Sequence, residues 1–172
     1  MFLDETGSHL GLVRRYARAP RGERAVGRAP RNRGRTRTTV TALTLAGFGP
    51  GLVVEGGIST AGFEAYVEHL LAPTLQPGQI VVMDNLRQHQ GGRTRMVIEA
   101  RGAELWFLPA YSPDLNPIEE AFSKVKTLLR TAAARTHEAL VVALWTALQA
   151  VTSADARGYF RHCGYPRLAQ PT

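Results

Sequence analysis

At 172 residues, 44% hydrophobic and 20% charged, the chain is long enough for one domain with its own core and too ordinary in composition for a disordered or fibrous protein. Its one cysteine, Cys163, excludes an internal disulfide and a cysteine-based zinc site, no stretch approaches the roughly 18 apolar residues of a membrane span, and the acidic start Met1-Phe2-Leu3-Asp4-Glu5 is no signal peptide. All of the formal charge of +7 lies in residues 1–40, where ten arginines face Asp4, Glu5 and Glu23, and such a segment points to an anionic partner, nucleic acid first.

Phe2–Glu5 reads as the end of a strand that begins abruptly, so a truncated first strand is expected. Leu12, Arg14 and Tyr16 alternate, which predicts a short strand over 12–19. Residues 20–35 carry one large apolar side chain, Val26, among Gly, Pro and Arg, and read as a loop. That loop is either a solvated charge run or an arm that contacts phosphates. In the second reading the contacts fall to Arg14, Arg15, Arg18, Arg21, Arg24, Arg28, Arg31, Arg33, Arg35 and Arg37.

The β-branched stretch 36–46 predicts a strand, 47–51 a turn, and Leu52–Glu55 the returning strand of a hairpin. Ser59 or Thr60 caps a helix with the stripe Phe63, Tyr66, Val67, Leu70 and Leu71, and Pro77-Gly78 closes the connection. Ile80-Val81-Val82-Met83 is continuously apolar, as in a parallel strand buried on both faces, and it closes on Asp84. Open α/β sheets collect functional groups at that end of a strand. Capping by Asp84 is the plainer alternative. A short helix over about 92–101 and a strand over 104–108 follow.

Pro109, Pro113 and Pro117 then forbid regular structure and make a stiff loop. Asn116 is a favourable N-cap, Pro117 suits the first helical position, and Glu119 and Glu120 fall in the first turn. The helix runs to about residue 130 on the stripe Ile118, Ala121, Phe122, Val125, Leu128 and Leu129. By helix phase Glu119 lies roughly 115° from the centre of that stripe and Glu120 roughly 145° away on the other side. Glu119 is thus the nearer to the sheet, Glu120 is placed to pair with Lys124, and a capping box between Asn116 and Glu119 stays open. A last helix over about 136–151 buries Leu140, Leu144, Trp145 and Leu148; the tail from Tyr159 is unassigned. The element order describes a mixed α/β sheet covered by helices, in one domain over 1–172.

Asp4, Asp84 and one of Glu119 and Glu120 stand on separate elements with no His/Cys cluster. Such a set favours a hard cation with oxygen ligands, Mg²⁺ or Mn²⁺, and two such ions clamp a phosphodiester for in-line attack. Asn85 and His89 follow Asp84, placed either to position a strand or shuttle a proton or to hold the loop by backbone hydrogen bonds. Asp114 reads as a turn maker, Trp106 and Trp145 as core, and His162-Cys163 lacks the second pair of a zinc site. Ser8 and His9 make no credible nucleophile–base pair.

The segments Phe-Leu-Asp4-Glu-Thr, Val-Met-Asp84-Asn-Leu and Tyr-Ser-Pro-Asp-Leu-Asn-Pro-Ile-Glu119 resemble the three blocks of a DDE transposase of the mariner superfamily, in its bacterial insertion-sequence branch. Thirty-four residues separate Asp84 from Glu119, as in that superfamily, and this selects Glu119 over Glu120. Arg18-Ala19-Pro20-Arg21-Gly22 and His89 resemble the same branch. The resemblance implies an RNase H-like fold with a five-stranded sheet. It also implies Asp4, Asp84 and Glu119 as ligands of two Mg²⁺ or Mn²⁺ ions, and DNA cleavage with strand transfer, typically at TA targets. The implied partners are terminal inverted repeats, target DNA and a second copy in a homodimeric synaptic complex, at the bacterial nucleoid in the cytoplasm. Family members carry an N-terminal helix-turn-helix domain that this sequence lacks. The expectation is therefore a downstream frame, an internal start or a decayed copy. A hydrolytic nuclease of the same fold and an inactive DNA-binding remnant are the alternatives.

Overall fold

The computed structural model describes residues 1–14, 16–85 and 91–165, and one sheet supports everything else in it. Its strands are β1 (Phe2–Ser8), β2 (Arg37–Thr44), β3 (Gly47–Glu55), β4 (Ile80–Met83) and β5 (Glu104–Phe107), in the order β3-β2-β1-β4-β5. β1 to β3 form an antiparallel meander, while β4 and β5 run parallel to β1. This is the expected mixed five-stranded sheet. The helices are α1 (Thr60–Tyr66), which widens into a π turn over Val67–Leu71, then α2 (Gly92–Glu99), α3 (Pro117–Ala132), α4 (His137–Gln149) and α5 (Ser153–His162).

Strand alternation divides the core between the two faces. Phe2 and Val82 pack with α3, α4 and α5 around Ile118, Phe122, Val125 and Leu144. Leu3, Val81 and Met83 pack on the other face with Phe63, Tyr66, Val67 and Ile98. α3 is held by complete burial of Ile118, Ala121 and Val125, and Phe122 stacks on Phe48 with ring centroids 5.7 Å apart. Burying each large side chain of this kind contributes about 1.5–3 kcal/mol.

Several expectations are corrected. The first strand is no stub: it pairs with β2 from Phe2 to Ser8, so Asp4 sits within it rather than near its end. The described residues of 12–19 form no strand: β1 is paired on both sides, and Tyr16 is 90% exposed. Gly47–Gly51 belongs to β3, and the hairpin turns at Leu45-Ala46. There the Thr44 hydroxyl accepts from the Ala46 N–H (3.1 Å) and donates to the Gly47 carbonyl (3.0 Å). Trp106 is 55% exposed on the edge strand β5, its indole N–H donating to Glu104. Trp145 is 37% exposed and lies over Gly51, where a Cβ would stand 3.1 Å from its ring. Leu70, placed in the α1 stripe, is at the surface because the π turn rotates it outward.

The unassigned tail from Tyr159 begins inside α5, a helix that the sequence reading did not assign. Its signal was in the sequence: Thr152 and Asp155 form a capping box. Phe160 and Tyr165 close on Phe2 with centroids 5.3 and 4.9 Å away, and the Tyr165 hydroxyl donates to the Leu115 carbonyl (2.8 Å). The tail thereby braces the proline loop.

Candidate active site

The parallel register of β1 and β4 pairs Phe2 with Val82 and Leu3 with Met83, then stops. The next residue on each chain is Asp4 and Asp84. Alternation turns both toward the face that Phe2 and Val82 share, the face covered by α3. Two aspartates thus stand abreast where the strands diverge, the place where polar groups can leave a sheet without breaking its ladder.

Asp4 is 9% exposed. Its Oδ1 accepts from the Glu5 N–H (2.7 Å) and its Oδ2 from Asn116 Nδ2 (3.0 Å). Burial pushes its pKa up to about 6, the nearby charges of Asp84 and Glu119 push the same way, and the two hydrogen bonds oppose them. Asp84 and Glu119 thus both lie near enough for their charges to act on Asp4.

Asn116 was expected to cap α3 with its side chain. It occupies the N-cap position but makes no side-chain cap bond; its amide is spent on Asp4, across 112 residues of sequence. The capping box with Glu119 is accordingly absent. Pro117 begins the helix and both glutamates lie in its first turn, as expected. The expectation for Glu120 is reversed. It is half-buried and pairs with His162 of α5, while Lys124 pairs with Asp155 (2.7 Å) and holds that carboxyl near pKa 2. α5 covers the Glu120 side of α3, and Glu119 is left exposed.

Glu119 opens on a pocket of about 350 Å³ with Asp84, Asn85 and Asn116, walled by the loop 108–113. Asp4 does not line that pocket; Asn116, which bonds it, does. Tyr111 stands fully exposed at the rim with φ of +57°, a left-handed backbone that a bulky residue rarely adopts. Asp114 lies in a 3₁₀ turn over Pro113–Leu115, in keeping with a turn-making role. His89 and Arg15 lie outside the described residues.

Among the described residues no three acidic, imidazole or thiol groups already stand close enough to close around one ion. The chemistry of the site still suits a divalent cation. Every donor is oxygen, one carboxylate is desolvated, and the neighbours that shift its pKa are a backbone N–H, an amide and two further acids. Replacing Asn116 by Leu is expected to weaken Mn²⁺ binding about 10–100-fold, the usual effect of losing a group that orients a ligand. Calorimetric titration with Mn²⁺ checks this, and unchanged affinity would make the Asn116–Asp4 bond purely structural.

The arginines divide. Arg14, Arg18, Arg21, Arg24, Arg28, Arg31 and Arg33 are exposed in the long connection between β1 and β2. Arg35 and Arg37 both pair with Glu55, which ties the base of that connection to β3.

The sequence matches the family described as DDE superfamily endonuclease over residues 1–141. The chain belongs to the DDE superfamily endonucleases. No curated protein matches it. Among solved structures, a pre-cleavage Mos1 transpososome superposes on this DDE endonuclease with a TM-score of 0.73 at 19% identity, covering 95% of this chain and 52% of that one. The Mos1 mariner paired end complex with Mn gives 0.72 at 20%, with the same coverages of 95% and 52%. The catalytic domain of Mos1 mariner transposase gives 0.60 at 14%, covering 95% and 78%. The chain thus spans about half the length of the first two and shares their RNase H-like fold.

Proposed function

We propose that this DDE endonuclease is the catalytic domain of a mariner-superfamily transposase. It cuts DNA at the ends of a mobile element and joins the freed 3′ end to target DNA. The observation that carries the reading is the junction of Asp4, Asp84 and the start of α3 through Asn116. Asp4, Asp84 and Glu119 would hold two Mg²⁺ or Mn²⁺ ions; such ions activate the attacking oxygen and stabilise the leaving one. The chain's own part is to fix these carboxylates: β1 and β4 set two of them abreast and Pro117 sets where the third begins. Support for divalent ions and for paired DNA ends comes from the Mos1 complexes with Mn and with Mg.

The finer reading is a bacterial insertion-sequence enzyme working at the nucleoid in the cytoplasm. It acts as a homodimer on terminal inverted repeats and target DNA, with a helix-turn-helix portion encoded upstream. The test uses end-labelled duplex carrying the inverted repeats that flank the coding sequence. The chain is assayed alone and joined to the frame upstream of it. Cutting in Mg²⁺ or Mn²⁺ with capture of the 3′ end by a plasmid is the expected result. Cutting without capture indicates a hydrolytic nuclease, and no cutting in either ion overturns the proposal.

Replacing Arg18, Arg21 and Arg24 by Gln is expected to weaken duplex binding regardless of sequence. The salt dependence should fall by about 0.9 in log–log slope for each phosphate that is no longer neutralised. Fluorescence anisotropy across a salt series checks this, and an unchanged slope would make the arm a bystander.

A further inference from the structure

The outer face of α3 carries more than Glu119. Arg130 is eleven positions after Glu119, close to three full turns, so the two lie on one face with Lys126 between them. The rise over that interval is about 16 Å, the axial length of about five phosphates along one DNA strand. Both cations are half-buried along their stems, and neither has an ion-pair partner among the described residues; Lys124, one turn-edge away, is taken by Asp155.

At the far end of α3 the cations multiply. A groove there is lined by Arg14 and Arg28 from the β1–β2 connection and by Arg130 and Arg135 from the α3–α4 junction. No acidic residue lines it. Arg135 donates to the Ala134 carbonyl, and none of the four guanidiniums meets a carboxylate among the described residues. Tyr16 adds an aromatic wall. Four like charges around one groove repel one another in the protein alone; an occupant bearing several negative charges removes that cost. A polyanion with regularly spaced charges fits both the groove and the stripe that leads from it to the carboxylates.

We infer that Lys126, Arg130 and Arg135, with Arg14 and Arg28, form a track for the phosphate backbone of duplex DNA along α3, ending at Glu119. The inference rests on the nuclease reading above and adds residues 126, 130 and 135, which lie outside the basic arm. α3 then has two roles on one face: an acidic first turn for the reacting phosphate and a basic last turn for phosphates further along the same strand.

The probe is a fluorescein-labelled 20-base-pair duplex of random sequence, its binding to the purified chain read by anisotropy from low to high salt. The triple variant Lys126→Gln, Arg130→Gln, Arg135→Gln is expected to bind at least tenfold more weakly, with the slope reduced by about 0.9 per phosphate released. A control pair on α2's end and α5, Arg101→Gln and Arg157→Gln, is expected to leave the slope near wild type. Arg28→Gln with Arg135→Gln, both outside helices, repeats the test without touching α3. Wild-type slope in the triple variant or in that pair overturns the track. If the wild-type chain binds no duplex at all, the DNA reading itself fails. If the control pair is weakened as much as the triple variant, the charge acts diffusely and the track is again overturned.

Discussion

Asp84→Ala is expected to abolish metal-dependent cleavage, by about a thousandfold or more, and to leave duplex binding near wild type. The size is what losing one of the proposed ligands would cost, since such ions supply several kcal/mol of transition-state stabilisation and each 1.36 kcal/mol is tenfold in rate. The fold is spared because Asp84 lies one residue past β4 and is only half-buried. Glu119→Gln is expected to fail in the same way. Glu120→Gln is expected to cut normally, since Glu120 is engaged by His162 and turned from the Asp84 pocket. Cleavage assays beside anisotropy measurements decide it: cutting by the Asp84 variant would remove that residue from the site, and equal loss in both glutamate variants would undo the assignment within the pair.

Asp4→Asn is expected to make the protein more stable while destroying its activity. In the folded chain the Asp4 pKa is raised from 3.8 to about 6 by burial, with Asp84 and Glu119 adding to it. Between those two values the folded state binds more protons than the unfolded one, so stability falls as pH rises through about 6. Above that range the ionised carboxylate costs about 3 kcal/mol relative to a group that never ionises. An asparagine keeps the shape, and Asn116 can turn its amide to offer oxygen instead of N–H. Denaturant unfolding at pH 7 without divalent ions is expected to show the variant ahead, and the difference is expected to vanish about a unit below the ordinary value of 3.8, where Asp4 is protonated in the folded state and largely so in the unfolded one. A gap that is the same at both pH values would mean that Asp4 carries no such penalty.

Both expectations describe one arrangement, a site kept at the expense of the fold. Asp4 is the costly member, and Asn116 makes it tolerable by supplying a donor to a buried carboxylate oxygen. Nothing in the local sequence shows that exchange. Asn116 is a good helix cap by residue type, and the cap is what a one-dimensional reading assigns. Its partner is 112 residues away, and only the packing of α3 on β1 brings the two together.

The strands were legible where one physical signal dominated. Ile80–Met83 is apolar throughout because both faces are covered, and β4 lies where that run lies. Leu12–Ala19 alternates equally well, yet β1, the strand it follows, is already paired on both sides, and alternation alone carries no information about where a sheet has room. α5 was missed because its apolar face depends on aromatic residues whose value lies in Phe2 at the opposite end of the chain. The same helix reversed the expectation for Glu120: helix phase gives angles about an axis, and it does not say which neighbouring element will cover which side.

By itself, then, the sequence singled out three carboxylates, the stiff loop and helix start that carry one of them, and the segment that holds the net charge. Those properties are local: residue type, spacing and proline geometry. Only the tertiary structure decided that Asp4 and Asp84 stand abreast, that Asn116 binds Asp4 instead of capping its helix, and that α3 carries cations at one end and acid at the other beside an arginine-lined groove. Those are relations between elements distant in sequence. They are set by register across a sheet and by which faces must be buried together.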